Sequence, residues 1–168
     1  IATCIHNSQE HLFKNMQGVP VLISEANTDT VCTPSSISSY VQRTPHAITK
    51  VRDLFLPPSR VTIKNCARFL HHARRTSSSP KILVIGGGEA GAGTAELWCS
   101  EDVEIHSTDI YASPTVDIVC DGHYLPLESN YYDGVWIQAV LEHVVQPQLV
   151  VSEIHRVLKN KGVVYAET

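Results

Sequence analysis

A predicted strand that runs directly into a cluster of glycines is the most chemically suggestive feature of the sequence. The apolar segment "KILVI" at residues 81–85 is followed by "GGGEAGAG", in which Gly86, Gly88 and Gly91 satisfy the pattern G-x-G-x-x-G. Glycines let the backbone approach a ligand without an intervening Cβ, and the start of the following helix presents unpaired N–H groups. The segment therefore predicts a loop that binds a phosphate or a nucleoside.

A carboxylate at the end of the next predicted strand fits the same ligand. Asp109 closes the segment "VEIHSTD", about 20 residues after the first glycine, where an acid commonly bonds the hydroxyls of a ribose. The alternative is that Asp109 is only a turn residue. The glycine loop and the acid together fit both nicotinamide dinucleotides and S-adenosylmethionine, so they leave the cofactor open.

The elements that must position these residues alternate between strand and helix from Lys81 onward. Such alternation predicts an α/β fold, a Rossmann-like parallel sheet with helices on both faces. Two right-handed β-α-β series must diverge from the first strand to leave a crevice above the glycine loop, so we expect the spatial order 3-2-1-4-5. The predicted strands are residues 81–85, 103–108, 115–119, 133–138 and 162–167.

The last helix of this series has the clearest signals. Pro147 stands where a proline is tolerated in the first turn. Apolar residues recur at helical spacing through Val150, Ile154, Val157 and Leu158, which predicts a face packed on the sheet. We expect the helix to be closed by Lys159, Lys161 and Gly162.

Composition divides the chain into three parts. Residues 1–34 form an N-terminal appendage, residues 35–79 a helical segment with a linker, and residues 80–168 the ligand-binding domain. In the appendage, the run "GVPVLIS" predicts a strand whose Pro20 favours an edge position. In the second part, helices are predicted on either side of a proline pair, and "TSSSP" reads as the linker.

The overall composition indicates a globular protein of one domain's length. The chain has 168 residues, 43% of them hydrophobic and 18% charged, with a net charge of -4. Without a block of basic residues, nothing in it indicates a nucleic acid or an anionic membrane as partner. Five cysteines without a C-x-x-C pattern favour a reducing cytoplasm. Neither a signal peptide nor a membrane helix is visible, and because the chain opens at Ile1 we expect the true N-terminus to be missing from it.

Five short blocks in the second half of the chain resemble, in the same order, the motifs of class I S-adenosylmethionine-dependent methyltransferases, especially their small-molecule branch. The resemblance covers residues 81–168, about half of the chain. The blocks are the acid Asp121, the pair Leu125-Pro126, the segment Tyr132-Asp133-Gly134-Val135, the segment "VLEHV" at residues 140–144, and "EIHRVLKNKG" at residues 153–162.

The resemblance implies a methyltransferase that uses S-adenosylmethionine, and it assigns the cofactor-binding residues. The cofactor loop falls on Gly86, Gly87, Gly88, Glu89 and Gly91; the ribose acid is Asp109, followed by Ile110; the adenine-edge contacts are Asp121, Gly122 and His123; and Gln138 lies beside the methionine end. Many members carry an acid two residues before the first glycine, where this chain has Val84. No catalytic residue is assigned, because positioning of donor and acceptor can supply much of the rate.

The resemblance also concerns the end of the chain. The family's sheet continues through two further strands, whereas this chain stops after its fifth predicted strand. We therefore expect the C-terminal strands to be missing from it. An unpaired edge invites association, so we expect further residues of the polypeptide or a partner subunit, such as a second copy, to cover the fifth strand.

The N-terminal segment "CIHN…MQGVPVLISE" resembles the last part of a small zinc-ribbon module found beside some methyltransferases. Asn7 stands where that module has its second cysteine, so a four-ligand zinc site cannot be assembled and we expect no metal. Cys4 with His6 or His11 remains only as an adventitious metal site.

Three other histidines have no assigned ligand. His71 and His72 are adjacent on a predicted helix and point about 100° apart, so we expect both at the surface. His143 follows the fourth strand and is either a structural residue or a base that faces the substrate.

Two alternatives to an active methyltransferase remain. A nicotinamide-dependent oxidoreductase fits the glycine loop, but a short-chain member needs Tyr-x-x-x-Lys and no tyrosine of this chain has a lysine four residues later. A methyltransferase-like domain without activity, which binds a partner instead, fits the residues too. The function expected from the sequence is methyl transfer to a small-molecule acceptor.

Overall fold

The computed structural model describes residues 2–6, 9–16, 18–23 and 60–168 of the chain. Within these ranges, eight strands form one sheet in the order β1-β2-β3-β6-β5-β4-β7-β8. The strands are β1 (Ala2–His6), β2 (Gln9–Met16), β3 (Val19–Val21), β4 (Lys81–Ile85), β5 (Glu104–Asp109), β6 (Ile118–Val119), β7 (Tyr132–Gln138) and β8 (Leu158–Glu167). The helices are α1 (Arg60–Ala73), α2 (Ala95–Cys99) and α3 (Pro147–Val157), and a 3-10 turn spans Leu141–His143.

The five parallel strands run in the order β6-β5-β4-β7-β8, so the predicted order 3-2-1-4-5 is confirmed. Strand β4 lies at the centre of this set and pairs in parallel with β5 and with β7. The carboxyl ends of these three strands therefore meet at one edge of the sheet. The crevice outside such ends is where ligands bind in open α/β folds.

Alternate residues of β4 face two different helices. Leu83 and Ile85 point into a cluster with Val150 and Ile154 of α3, while Ile82 and Val84 point into a cluster on the opposite face that includes Phe69 of α1. Successive side chains of a strand alternate between faces, so a continuous apolar run is the pattern of a strand that is covered on both sides. The two helices thus hold β4 between two apolar layers.

Helix α1 belongs to the second apolar layer. Its Phe69 packs edge-on against Trp136 of β7 with ring centroids 5.3 Å apart, and Trp136 stacks on Tyr165 of β8 at 3.9 Å. Residues 60–73, which the sequence placed in a helical segment before the domain, therefore share a core with the sheet. The helix predicted through about Phe55 lies outside the described residues. The division of the chain at residues 34 and 79 stays a prediction.

The N-terminal strands extend the sheet beyond the predicted five. Strand β3 pairs antiparallel with β2 and parallel with β6, so the edge position predicted from Pro20 is wrong. The strand is three residues long and shares one bridge, Val21 with Val119, with its parallel neighbour. A proline is tolerated there because its missing N–H group forfeits at most one bond.

Two predicted boundaries are also wrong. The third strand starts at Ile118 rather than at residue 115, because Val116 N–H closes a turn onto Ser113 O at 3.1 Å. Helix α3 ends at Val157, before the predicted stop, because Leu158 takes an extended conformation and pairs with Tyr132. Strand β8 forms an edge of the described sheet, and what covers it stays a prediction.

Metal-binding clusters and membrane-spanning helices are both absent from the described residues. No group of three or more histidine, cysteine or acidic side chains there is placed to hold a metal ion. None of the helices found there has the length and apolar character needed to span a membrane.

Candidate cofactor site

The glycine loop turns sharply at the end of β4. The N–H groups of Gly86 and Gly87 both donate to Thr108 O of β5, at 2.8 and 3.0 Å. Gly86 has a φ of +78°, and a Cβ at this position would lie 2.2 Å from Cγ2 of Val140. Any other residue would be strained and would collide with the segment after β7. The first glycine of the motif is therefore required by the fold.

Asp109 connects the end of β5 to this loop. Its Oδ2 accepts a hydrogen bond from Gly88 N–H at 2.9 Å, and its Oδ1 accepts one from Tyr111 N–H at 3.2 Å. A Cβ on Gly88 would lie 2.7 Å from the same Oδ2. A carboxylate can accept about four hydrogen bonds, so Asp109 keeps acceptor capacity for a ligand. The turn role and the ligand role, which the sequence presented as alternatives, are compatible.

Thr115 also supports the loop, and sequence reasoning missed it. Its Oγ1 donates to Gly87 O at 2.7 Å and lies 2.9 Å from Oγ of Ser113. The sequence assigned Thr115 to the third strand, whereas it lies in the turn before β6. The run "SPT" signals a turn but gives no sign that its hydroxyls hold the glycine loop.

The segment after β6 is fixed by a buried pair. Asp121 Oδ1 accepts the backbone N–H of His123 at 2.9 Å and lies 2.6 Å from Nδ1 of its ring. The ring's Nε2 accepts Gln146 N–H at 3.2 Å, so the ring hydrogen is on Nδ1 and is donated to Asp121. The pair thereby ties this segment to the start of α3. That Asp121, Gly122 and His123 contact an adenine stays a prediction.

Unpaired polar groups occur where the loop meets the end of β7. The Oε1 atom of Gln138 is buried without a hydrogen-bond partner in the described structure, and a Cβ on Gly91 would lie 2.4 Å from it. Within the described residues, no hydrogen bond involves the backbone N–H groups of Ala90 and Gly91. Buried polar groups are normally paired, so the unpaired Oε1 atom of Gln138 marks a position for a ligand.

These elements enclose a cleft of about 1370 Å³. Ten of the eleven residues predicted to bind the cofactor line it; Gly87, whose N–H and C=O groups are both bonded within the protein, does not. That the ten hold a cofactor stays a prediction. Residues that the sequence did not single out also contribute; among them are Thr94, Trp98, Tyr111, Thr115, Trp136 and Val140.

Three lining residues bear on the chemistry. Val84, in the position of the family's acid, is 4% exposed and packs in the apolar cluster under the loop. Burial raises the pKa of the Cys120 thiol to about 12, so this cysteine is no nucleophile near neutral pH. His143 lies exposed in the 3-10 turn after β7, and its two proposed roles both remain.

Comparison with known proteins supports a methyltransferase. Residues 85–166 match the family described as "Methyltransferase domain". Among solved structures, a provisionally assigned sarcosine dimethylglycine methyltransferase from Galdieria sulphuraria has a TM-score of 0.51 and 23% sequence identity, over 62% of this chain and 44% of that one. No curated protein matches the sequence significantly.

Two further structures score slightly lower. A provisionally assigned S-adenosyl-L-methionine-dependent methyltransferase from Methanococcus maripaludis has a TM-score of 0.48 and 21% identity, over 70% of this chain and 60% of that one. The methyltransferase CalH, in complex with SAH, has a TM-score of 0.49 and 21% identity, over 60% of this chain and 35% of that one. The chain spans less than two thirds of the length of each of these proteins. The segment at residues 85–166 is thus similar to a methyltransferase domain.

Proposed function

We propose that the protein transfers a methyl group from S-adenosylmethionine to a small-molecule acceptor. The observation that carries this proposal is the arrangement at the mouth of the glycine loop. A buried acceptor without a partner in the described residues, Gln138 Oε1, lies beside a loop in which no hydrogen bond there involves the N–H groups of Ala90 and Gly91. Donors and an acceptor side by side suit the α-carboxylate and α-ammonium groups of an amino acid.

The other end of the cleft suits a nucleoside. The carboxylate of Asp109 keeps acceptor capacity after its two bonds to Gly88 and Tyr111, and the two hydroxyls of a ribose match it. An amino-acid group and a ribose occur together in S-adenosylmethionine. A nicotinamide dinucleotide has no amino-acid group, so the residues present fit it less well.

The bound cofactor would supply an electrophilic methyl group on a positively charged sulfur. The chain's own residues hold the loop, orient the ribose and exclude water from the inner cleft. Thr115 and Thr108 both bond the loop backbone, which supports a preorganised site. Because holding reactants in a near-attack geometry supplies much of a barrier reduction, the site needs no covalent catalysis.

A binding domain without methyltransferase activity is the second candidate. Val84 favours it, because an aliphatic side chain there removes an acid that steadies the loop or the cofactor in the resembled family. This candidate keeps the fold and loses cofactor binding or the acceptor pocket.

Titration calorimetry with S-adenosylmethionine, its demethylated product S-adenosylhomocysteine and NADH tests the proposal. We expect the first two to bind and NADH not to bind. Tight binding of NADH alone would indicate an oxidoreductase, and binding of none of the three would indicate a partner-binding domain. If S-adenosylmethionine binds, transfer of a radiolabelled methyl group to extracted small molecules then separates an enzyme from a domain that only binds the cofactor.

A further inference from the structure

The wall segment, residues 139–146, joins β7 to α3 and forms one side of the cleft. Near its start, the side chain of Val140 lies against Gly86 of the glycine loop. The segment leaves β7 through Ala139, whose φ is +53°. A residue with a Cβ is strained in this left-handed region, so Ala139 keeps the conformation only if the rest of the segment is held in place.

The other end of the wall segment is held by the ring of His123. Gln146, the last residue of the segment, donates its backbone N–H to Nε2 of this ring at 3.2 Å. The side chain of Gln146 makes no capping bond, and the next residue, Pro147, has no N–H group. The bond from Gln146 to His123 therefore connects the wall segment to the protein at the point where α3 begins.

Asp121 keeps the ring in the state that this bond needs. His123 is 7% exposed and Asp121 is 3% exposed, and Oδ1 of Asp121 lies 2.6 Å from Nδ1 of the ring. With the ring hydrogen on Nδ1, the lone pair of Nε2 is available to an N–H donor. Both residues line the cleft on the side where adenine is predicted to bind, so the ring joins that side to the wall segment.

We infer that His123 is a positioning residue for methyl transfer, which holds the wall segment over the bound cofactor through its Nε2 atom. This inference rests on the proposed function. The imidazole acts through Gln146 and does not touch the reacting methyl group. Without the bond, the wall segment relaxes from the strained conformation at Ala139, and the cofactor loses its cover on that side.

Two substitutions at His123 separate the roles of its ring nitrogens. The longer side chain of His123→Gln places an oxygen near the position of Nε2 and still accepts the Gln146 N–H. The shorter side chain of His123→Asn places a donor near the position of Nδ1 and does not reach Gln146. Each variant loses one hydrogen bond of the ring, so we expect similar losses of global stability.

Hydrogen exchange of the Gln146 amide in the protein without ligand is the first measurement. This amide should exchange about tenfold faster in the Asn variant than in the unmodified protein, because it has lost its acceptor. In the Gln variant it should exchange at the unmodified rate. A merely structural role of the ring would change the exchange rate in both variants alike, in line with their stability.

The dissociation rate of S-adenosylhomocysteine is the second measurement, and surface plasmon resonance provides it. We expect the ligand to leave the Asn variant about threefold faster than the unmodified protein, because the wall segment no longer covers it. The Gln variant should release it at the unmodified rate. Asp121 keeps one partner in that variant, since its Oδ1 also accepts the backbone N–H of residue 123 at 2.9 Å.

His106 provides the matched control. Its ring is also bonded through both nitrogens, with Nδ1 2.9 Å from the Tyr132 hydroxyl and Nε2 3.1 Å from Oε1 of Glu104. It is not among the described residues that line the cleft. His106→Gln and His106→Asn should therefore leave the exchange of the Gln146 amide and the dissociation of S-adenosylhomocysteine unchanged.

The outcomes separate this inference from the proposed function. Equal exchange of the Gln146 amide in the two His123 variants would overturn the inference, and so would equal dissociation rates or the same changes in the His106 variants. Failure of the proposed function would appear as an absence of S-adenosylhomocysteine binding to the unmodified protein. The exchange measurement without ligand would then decide by itself whether His123 holds the wall segment.

Discussion

The amino end of the central strands has polar groups that are paired within the protein, whereas the carboxyl half has polar groups that are not. At the amino end, Asp133 Oδ2 accepts hydrogen bonds from Lys81 N–H and from Lys159 Nζ, each at 2.9 Å. Tyr132 O–H lies 2.9 Å from Nδ1 of His106, and burial raises the pKa of the Tyr132 phenol, which keeps it protonated. Polar groups at this end are paired within the protein.

The carboxyl half of the same sheet holds the unpaired groups. The two buried side-chain atoms without a partner in the described residues are Ser107 Oγ, which lies under Gly87, and Gln138 Oε1. Burying an unpaired polar group costs stability. The polar groups at the amino end therefore hold the fold together, whereas those at the carboxyl end would be completed by a ligand.

Removing a paired group at the amino end should have the largest effect on stability. Asp133→Ala leaves the Lys81 amide and the Lys159 ammonium without their partner and should lower the free energy of unfolding by about 2–3 kcal/mol. The dissociation constant for S-adenosylhomocysteine should not change, since Asp133 does not line the cleft. Chemical denaturation and calorimetry measure the two quantities.

Asp102→Ala is the control for this substitution, because Asp102 forms a more exposed ion pair with Arg74. The control should unfold at nearly the same denaturant concentration as the unmodified protein. Weaker binding of S-adenosylhomocysteine by the Asp133→Ala variant would contradict the prediction that the amino end affects stability and not ligand binding.

At the carboxyl end, Asp109→Ala should weaken S-adenosylmethionine binding by about 1.5–3 kcal/mol through loss of charge-assisted bonds to the ribose. The Asn variant keeps an acceptor for Gly88 N–H and separates the two roles, so it should retain the loop and still lose affinity. Calorimetry gives both constants. An unchanged dissociation constant for the Ala variant would mean that Asp109 is only a turn residue.

The smallest expected effect belongs to Gln138. Gln138→Leu removes an unpaired buried acceptor, so the free energy of unfolding should stay the same or rise slightly, whereas S-adenosylhomocysteine binding should weaken by about 1 kcal/mol. The unmodified protein should also bind S-adenosylhomocysteine more tightly than the analogue without its α-amino group. If the Leu variant keeps that preference, Gln138 does not receive the ammonium group.

The sequence predicted the parts of this fold that follow from periodicity and chain order. The five parallel strands and their order follow from alternating patterns and the handedness of crossovers, and Pro147 correctly marked the start of α3. Strand β2 was not predicted, because "QEHLFKNM" lacks a clear alternation of polar and apolar residues. The edge position was predicted from Pro20 because a proline cannot donate a hydrogen bond to a neighbouring strand. The sequence around Pro20 does not show that the neighbouring strand, β6, would be only two residues long.

The same limit applies to the site. The glycines and Asp109 are recognisable because a backbone turn and a carboxylate at fixed spacing leave a signature. Thr115 leaves none, since its contact with Gly87 joins residues 28 positions apart. Nor does the sequence show that Asp121 and His123 bond each other, because that pairing depends on how the turn after β6 folds.

Hydrogen exchange with and without S-adenosylhomocysteine tests the central claim most directly. The amides of Ala90 and Gly91 should become protected when the ligand binds, because it would accept hydrogen bonds from them. The amide of Lys81, already bonded to Asp133, should exchange at the same rate in both states. Unchanged exchange at residues 90 and 91 in the ligand-saturated protein, or protection confined to the amino end of the sheet, would contradict the account.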